Sequence, residues 1–494
     1  MPSPTATTAD HTPSAVPLSL AGSPAASALG SFSWSLAQGA RDPYYILVVI
    51  YIFYPYFSNV VVGDAVRGQS LLGYTNAIAG FLLALSAPLL GAIADKSGRR
   101  KPWVAGTGVS LALGALALWW VYPDGTGLGI YPTLALIVVI NVIFTTSEVF
   151  HNAMLPSVAA ADRVGIISGT AFALGNVGGL LLMVFVLLAF ALPGQLDWSF
   201  IPAQPWFGID QAAHEHDRIV GPLAAGWLIL LTLPLLWFTP DGHGERRPLL
   251  PMLREGLADV GDTLRSLSHY RNIALYLVAR MFFIDGMVGV MTFGGVYASG
   301  TFGWDSISLL IFGLCTSAAA MVGAYLGGRL DDRLGSRKTL LLSVAISTLL
   351  LLVLVSIDNG HVLFWISVGS ERLFDLPYMS RPAEFCYFIT NQIFAMFFVT
   401  GLASSRTLMA RITPATMATQ FFGLYALSGT VTAFLAPLLV GSVTAAAISQ
   451  RAGFASLILL MGLGLCMLIF VRESQASDHR LGPASGASPE VETA

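Results

Sequence analysis

The dominant feature of this sequence is a series of about twelve apolar runs, each near the ~20 residues that an α-helix needs to cross ~30 Å of hydrocarbon. Backbone polar groups in lipid must be satisfied within the segment itself, so helices are expected. Only 11% of the 494 residues are charged, against about 25% in soluble proteins. We therefore predict an all-α polytopic membrane protein. The runs occupy 44–62, 70–94, 103–122, 132–154, 165–192, 220–239, 272–298, 306–328, 339–357, 384–405, 418–447 and 453–471.

The longest connection between runs divides them into two groups of six. This connection, 241–271, has apolar residues at helical spacing, which predicts a linker with a surface amphipathic helix. It separates an N-terminal six-helix bundle at 41–240 from a C-terminal six-helix bundle at 272–471. The polar, small-residue segments 1–40 and 472–494 predict disordered tails. Transporters commonly contain such repeats, with the substrate site where they meet.

Charge predicts the orientation of the chain. The loops after the even-numbered runs carry most of the lysines and arginines, whereas the opposite loops hold only Arg67, Arg218, Arg372, Arg381 and Arg451. The positive-inside rule then places the basic loops and both termini in the cytoplasm. We expect a multi-pass protein of the bacterial cytoplasmic (inner) membrane.

Two of the basic loops repeat one motif. It reads Gly91-Ala-Ile-Ala-Asp95-Lys96-Ser-Gly98-Arg99-Arg100-Lys101 after run two and Gly328-Arg-Leu-Asp-Asp332-Arg333-Leu-Gly335-Ser-Arg337-Lys338 after run eight. The first glycine permits close helix approach and the second a tight turn at positive φ. The acid can face a helix N-terminus or pair with a base. One copy could be an ordinary basic loop, but two copies at corresponding positions predict conformational gating loops. Their candidate residues are Gly91, Asp95, Lys96, Gly98, Arg99, Arg100, Gly328, Asp332, Arg333, Gly335 and Arg337.

With this repeated loop the sequence resembles the major facilitator superfamily. It is similar, within that superfamily, to the autophagy-related vacuolar effluxer-like branch, also called the unknown major facilitator family. The segments that carry this similarity are Phe150-His-Asn-Ala-Met-Leu-Pro156, Gly165-Ile-Ile-Ser168-Gly169, Ala173-Leu-Gly-Asn-Val-Gly-Gly179, Ala279-Arg280-Met-Phe-Phe-Ile-Asp285-Gly286, Ser405-Arg406-Thr-Leu-Met-Ala410 and Phe421-Phe-Gly-Leu-Tyr-Ala-Leu-Ser-Gly429.

The resemblance extends from about Arg41 to Val471. It implies the major facilitator fold, in which twelve helices form two pseudo-symmetric six-helix bundles around an alternating-access cavity. Fungal relatives export amino acids from the vacuole, so the resemblance implies efflux of a small polar solute.

Run four carries a polar stripe. Asn141, Thr145, Glu148 and Asn152 fall at i, i+4, i+7 and i+11, on one face of a helix. A charge in the bilayer core costs roughly 2.5–3.5 kcal/mol on insertion scales, so the stripe should face water or a neighbouring helix. We assign it, together with His151, to a substrate cavity. A structural seam of hydrogen bonds is the alternative.

Run seven carries Arg280 and Asp285, which are five positions apart and therefore rotated by about 140°. They pair poorly along one helix, so each needs a partner elsewhere. Glu148 and Arg280 lie about 9 Å and about 12 Å from the inner ends of their helices. We hypothesise that they pair across the bundles in one conformational state and that substrate or a proton disrupts the pair. A static pair that orients helices is the alternative.

Asp285 would lie deeper, near or past the midplane, which makes it a candidate for proton coupling. A hydrogen bond to a neighbouring backbone would explain it equally well. Asn391 and Gln392 on run ten and Tyr51 on run one are further cavity candidates, for which ordinary packing is the alternative.

Several other chemistries are disfavoured. No lysine follows a glycine, as a P-loop requires, and neither Gly-x-Ser-x-Gly nor His-Glu-x-x-His occurs. We therefore expect no enzyme activity and no cofactor. We interpret His214-Glu-His216-Asp217 as a solvated charge run, with metal contact as the alternative. The net charge of −3 gives no indication of a nucleic-acid partner, and three cysteines predict no disulfide framework.

The leading functional prediction is a secondary transporter that moves a small solute through the lipid bilayer by alternating access, as a monomer, with protons as the coupling ion. Three alternatives stay open: a lipid or glycolipid translocase, a membrane-embedded transferase, and a sensor that does not transport.

Overall fold

The computed structural model describes residues 18–19, 23–96, 99–160, 163–195, 199, 201–241, 265, 270–375, 378–413, 421, 424–425 and 427–473. Twelve helices dominate this part of the chain. They are α1 (Ala28–Val61), α2 (Ala65–Lys96), α3 (Lys101–Trp120), α4 (Ile130–Val158), α5 (Val164–Val186), α6 (Glu215–Phe238), α7 (Arg271–Phe302), α8 (Ser306–Leu334), α9 (Ser336–Ser356), α10 (Pro382–Ile412), α11 (Leu435–Ala447) and α12 (Gln450–Ile469).

Ten helices in the described part are long and apolar enough to cross a membrane. α2 has 32 residues, and α11 has 13 residues. A π-helical turn, Leu187–Ala191, extends α5. Between α9 and α10 a short antiparallel hairpin pairs β1 (His361–Val362) with β2 (Ile366–Ser367). The predicted linker helix within 241–271 and most of both predicted tails lie outside the described residues.

The two halves repeat the same packing. α1 packs against α6 as α7 packs against α12, and α2 packs against α4 as α8 packs against α10. α3 likewise contacts α4 and α6, and α9 contacts the equivalent α10 and α12. The predicted fold of two pseudo-symmetric six-helix bundles is therefore confirmed.

The first helix begins earlier than hydropathy predicts. Residues 28–40, assigned above to a disordered tail, are helical, so that assignment is wrong for them. Ser27 caps the helix by accepting a hydrogen bond from the amide of Gly30 at 3.1 Å. Further along, the Trp34 indole donates to the carbonyl of His151 at 3.0 Å. Small serine, glycine and alanine residues fill this segment, and its order comes from packing that hydropathy does not report.

The halves contact each other at one end of the molecule. We call the end that carries the loops after α2 and α8 the basic end, and the opposite end the distal end. A Cβ atom on Gly73 of α2 would lie 2.5 Å from the Cα atom of Gly441 in α11, so only glycine allows this approach. Nearby, the Gln69 side chain donates to the Thr444 hydroxyl at 2.8 Å, and Asn59 of α1 donates to Ser299 of α7 at 2.6 Å. The distal end is therefore closed by contacts between the halves.

Candidate substrate pathway between the two halves

The first half contributes a charged group that the sequence analysis did not select. Asp42 of α1 accepts hydrogen bonds from the Gln38 side chain at 2.9 and 2.7 Å, and Nη2 of Arg41 lies 3.4 Å from its Oδ1. Glu148 of α4 is close enough to Asp42 and Tyr45 to interact with both electrostatically. Two acidic side chains from different helices are therefore within electrostatic range of each other. The Arg-Asp pair directly before the first apolar run was the available signal.

The polar stripe on α4 splits into two environments. Asn141 donates to the Tyr54 hydroxyl at 3.0 Å and to Asn76 at 2.9 Å, so it belongs to a seam between α1, α2 and α4. Thr145 and Glu148 are partly exposed and Asn152 is exposed. Among the described residues Glu148 makes no hydrogen bond or ion pair, so its carboxylate is available to a solute.

His151 lies elsewhere. Its ring is buried, stacks on the Trp34 indole with centroids 4.5 Å apart, and lies with Nε2 2.9 Å from the Trp34 carbonyl oxygen. This histidine joins α4 to the beginning of α1.

Arg280 of α7 lies on the second half. Its guanidinium carbon stacks 3.7 Å from the centroid of the Tyr425 ring. Nη1 donates to the Tyr425 carbonyl at 2.9 Å and to the Ser428 hydroxyl at 2.7 Å. No carboxylate in the described part of the chain forms an ion pair with it, so the hypothesised pair with Glu148 is not formed in this conformation. Among those residues, the buried Arg280 guanidinium has only neutral partners.

Asp285 forms a hydrogen bond with the backbone, which is one of the two explanations given above for a carboxylate at this depth. Its Oδ2 accepts from the amide of Ala436 at 3.0 Å. That amide belongs to the first turn of α11, where backbone donors have no partner within the helix. An anionic group here also interacts favourably with the positive end of the helix dipole. Asp285 therefore caps α11 from a neighbouring helix.

The cap exists because the predicted run 418–447 is not one continuous helix. Residues 427–428 are helical, residues 429–434 form turns, and α11 begins at Leu435. Arg280 binds a carbonyl just before this break, whereas Asp285 binds an amide just after it. A cation at a carbonyl end and an anion at an amide end both complement the helix dipole.

The remaining candidates lie near α8. The amides of Asn391 and Gln392 lie 3.2 and 3.3 Å from the Thr316 hydroxyl, to which each donates. Tyr51 is buried and packs edge-on against Phe312 with ring centroids 6.1 Å apart. These side chains therefore join α1, α8 and α10 across the interface between the halves.

In the second copy of the gating motif, the close helix contact and the hydrogen-bonded acid each lie one residue before the predicted position. Gly335 has φ +82°, as predicted. Gly328, however, faces open space, and Gly327 makes the close approach, because a Cβ there would lie 2.5 Å from the Thr400 hydroxyl. Asp332 is exposed, whereas its neighbour Asp331 accepts hydrogen bonds from Ser336 and Thr407 and lies 3.7 Å from Arg411. The phase of α8 decides which neighbour faces α10.

The basic residues of both copies tie the loops to neighbouring helices. The side chain of Arg100 donates to Ser157 at 3.1 Å. Arg337 donates to the carbonyls of Val471 and Ile469 at 2.5 and 2.8 Å. Arg99 and Arg333 are both exposed. Gly98 and the side chains of Asp95 and Lys96, together with the surroundings of Gly91, lie outside what the structure describes.

Two known proteins are similar to this chain in sequence. The chain is 25% identical over 455 residues to "Uncharacterized MFS-type transporter YxiO" of Bacillus subtilis (strain 168), covering 90% of this chain and 95% of that protein. It is 21% identical over 249 residues to "Autophagy-related protein 22" of Cryptococcus neoformans var. neoformans serotype D (strain B-3501A), covering 49% of this chain and 44% of that protein.

Solved structures share the fold. A D-xylose-proton symporter matches with a TM-score of 0.62 and 13% identity, over 90% of this chain and 97% of that one. The xylose transporter XylE from E. coli, in an inward open conformation, matches with a TM-score of 0.58 and 12% identity, over 90% and 97% of the two chains.

Twelve helices in two equivalent halves, together with these relatives, define a transporter of the major facilitator superfamily rather than an enzyme. The profile of the family described as "Vacuole effluxer Atg22 like" matches residues 58–480. The chain belongs to that family.

Proposed function

We propose that this protein is a secondary active transporter that exports a small solute carrying a carboxylate, of the amino-acid type, across the bacterial inner membrane by proton-coupled alternating access. The basic end faces the cytoplasm, and with it both termini. The observation that carries the proposal is Arg280, a buried guanidinium on the pathway that has no carboxylate partner in the described part of the chain.

The two walls of the pathway carry opposite charges. The first half carries Glu148 and an Asp42 that is paired with Arg41, and the second half carries Arg280. A guanidinium binds a carboxylate through paired, charge-assisted hydrogen bonds, and the Glu148 carboxylate on the other wall attracts an ammonium group. A zwitterion is the simplest small solute that satisfies both walls.

The depth of these groups supports a solute that binds between moving walls. The Tyr45 hydroxyl of α1 lies 3.1 Å from the Thr292 hydroxyl of α7. Arg280 is twelve residues from Thr292, or about 18 Å along the helix towards the basic end. Asp42 is three residues, or about 4.5 Å, from Tyr45 in the same direction. The charges therefore lie at different depths on the basic side of a contact between the halves, where a moving solute would meet them in turn.

The conformation fits one state of such a cycle. Hydrogen bonds and glycine contacts close the distal end, and we propose that the pathway opens towards the basic end in this conformation. Export then requires closure of the basic end, where the gating loops lie, and separation of α2 from α11 at the distal end.

Glu148 is the group we propose for proton coupling. It is partly exposed, has no hydrogen-bond partner among the described residues, and lies near a second carboxylate. A proton shared between neighbouring carboxylates relieves their repulsion. Asp285 is instead engaged by the α11 backbone.

The test is a substrate screen in proteoliposomes with an imposed pH gradient, using amino acids and matched amines that lack the carboxylate. Arg280→Gln should reduce carboxylate-dependent flux at least about tenfold, because one charge-assisted hydrogen-bond pair contributes about 1.5–3 kcal/mol. Arg280→Lys should retain part of it, because the charge remains. Arg329→Gln is a matched control, because Arg329 also stacks on a tyrosine, Tyr325, but is exposed on α8.

Two outcomes would contradict the proposal. Flux of carboxylates unchanged by Arg280→Gln would remove the arginine from solute binding. Equal dependence on the pH gradient in wild type and Glu148→Gln would remove the carboxylate from coupling.

A further inference from the structure

The distal end contains a cluster of side chains that the transport pathway does not use. His214, His216 and Asp217 precede the main part of α6, and one potential ligand atom from each lies within 4.8 Å of the others. Nδ1 of His214 lies 2.9 Å from Oδ2 of Asp217, and Nε2 of His216 lies 3.6 Å from its Oδ1. Asp217 is only 2% exposed, so its interpretation as part of a solvated charge run is wrong.

The backbone that carries this cluster is held in place by Arg218. The guanidinium of Arg218 stacks on Trp119 and Tyr122, at 4.9 and 4.6 Å from their ring centroids. It donates to the Trp119 carbonyl at 2.9 Å and to the Ala213 carbonyl at 3.3 Å. Ligands on a segment fixed by packing and hydrogen bonds are preorganised for binding.

The cluster also contacts the other half of the molecule. Ser306, the first residue of α8, donates a hydrogen bond to Oδ1 of Asp217. All four of these side chains line one cavity of about 400 Å³ between the halves. In that cavity Nδ1 of His216 is buried and has no hydrogen-bond partner among the described residues. The space and the donor atoms needed for a ligand are therefore present at the seam.

We propose that His214, His216 and Asp217 bind a divalent transition-metal ion of the Zn²⁺ class and that the bound ion stabilises the closed distal end. Two imidazoles and one carboxylate with an open position form a common three-residue zinc site. Tetrahedral bonds of about 2.0–2.1 Å place ligand atoms about 3.3 Å apart, which is between the two distances observed. Imidazole nitrogen selects such ions over Mg²⁺ and Ca²⁺, which prefer oxygen.

The coupling to the gate follows from Ser306. Hydrogen bonds to a ligating carboxylate orient it and strengthen metal binding. The Ser306 bond exists only while the beginning of α8 lies against the beginning of α6. The ion therefore binds the closed distal end more tightly than the open one and shifts the equilibrium towards it by that difference.

The first experiment measures Zn²⁺ binding to the purified full-length protein by competition with a chromophoric chelator, with Ca²⁺ as the comparison ion. His216→Ala should weaken Zn²⁺ binding more than Ser306→Ala. The Ser306→Ala variant keeps all three ligands and should lower the Zn²⁺ affinity about tenfold, which is the lower end of the range for loss of a group that hydrogen-bonds to a metal ligand. His361→Ala is the matched control, because His361 lies 3.2 Å from Asp358 without a second histidine. His214→Ala provides a second ligand variant, and both cluster histidines are partly exposed, so neither change empties a core.

The second experiment adds Zn²⁺ to the distal side of proteoliposomes. Flux should fall in wild type and in His361→Ala, but not in His216→Ala. Zn²⁺ affinity that is the same in wild type, His214→Ala and His216→Ala would overturn the site. Equal affinity in wild type and Ser306→Ala would overturn the coupling. The binding measurement needs no substrate, so its failure is distinct from a failure of the proposed transport function.

Discussion

Replacement of Asp285 tests whether this intramembrane carboxylate is a helix cap. Asp285→Ala leaves the Ala436 amide buried without the acceptor that it has at 3.0 Å. An unsatisfied buried donor costs about 1–3 kcal/mol, and loss of the interaction with the helix dipole costs up to about 2 kcal/mol more in buried geometry. Asp285→Asn keeps an acceptor oxygen but loses the charge. We therefore expect a loss of about 2–4 kcal/mol for alanine and about 1 kcal/mol for asparagine.

The measurement is thermal unfolding in detergent, followed by size-exclusion recovery. One kcal/mol shifts Tm by about 2–4 °C in chains of 150–250 residues and by less in larger ones, so the alanine variant should lose a few degrees. Glu148→Gln is the matched control, because Glu148 is an intramembrane acid without a hydrogen-bond partner in the described residues. A Tm equal to wild type for Asp285→Ala, or a loss as large for Glu148→Gln, would refute the capping argument.

Three further changes have defined outcomes. Gly73→Val should prevent closure of the distal end, because the new Cβ would overlap the α11 backbone. Cysteine labelling at that end should therefore increase. The Gly108→Ala variant, whose new Cβ would meet nothing within 4 Å, should be labelled to the same extent as wild type. Asp331→Asn should lower stability by about 1–2 kcal/mol through its hydrogen bonds, and Asp332→Asn, which changes an exposed group, should leave Tm unchanged. Partial burial alone would raise the pKa of Asp358, but hydrogen bonds from neighbouring amides and a histidine outweigh burial and lower this pKa below 3.8. The ionised Asp358 should therefore stabilise the fold fully above pH 3.8, and this stabilisation should be lost as the pH falls through the lowered pKa. Unfolding measured as a function of pH checks this.

The sequence was sufficient to predict the architecture because its signals are local. Apolar runs predict spans, and the duplicated loop after α2 and α8 predicts the repeat, without any knowledge of packing. The early start of α1 could not be predicted in this way. Residues 28–40 are small and weakly apolar, and contacts such as that of Trp34 with His151 stabilise the helix.

Motif spacing was less reliable than helix phase. The pattern selected Gly328 and Asp332, whereas Gly327 makes the close approach to α10 and Asp331 makes the hydrogen bonds. Spacing is a property of the chain, but the rotation of α8 about its axis decides which residue faces a neighbour. A shift of one residue rotates a side chain by about 100°, enough to exchange a buried acid for an exposed one.

The partners of the intramembrane charges were predicted only in part. The 140° rotation between Arg280 and Asp285 correctly indicated that each needs a partner elsewhere. The match in depth between Glu148 and Arg280 did not identify the partner in this conformation, because depth along a helix says nothing about lateral position. The actual partners are backbone groups at a helix break, which hydropathy reads as one continuous run.

That break lies between the residues of the candidate pathway and the closed distal end. α7 holds the chain on both sides of it, through Arg280 before residues 429–434 and through Asp285 after them. The segment that follows, α11, packs against α2 at Gly73, where the distal end is closed. A solute that takes Arg280 away from the Tyr425 carbonyl would release one side of the break while Asp285 still holds the other. If the protein exports its solute as proposed, solute binding then acts directly on the element whose contact with α2 must open, and substitutions at either capping residue should change the rate of that opening.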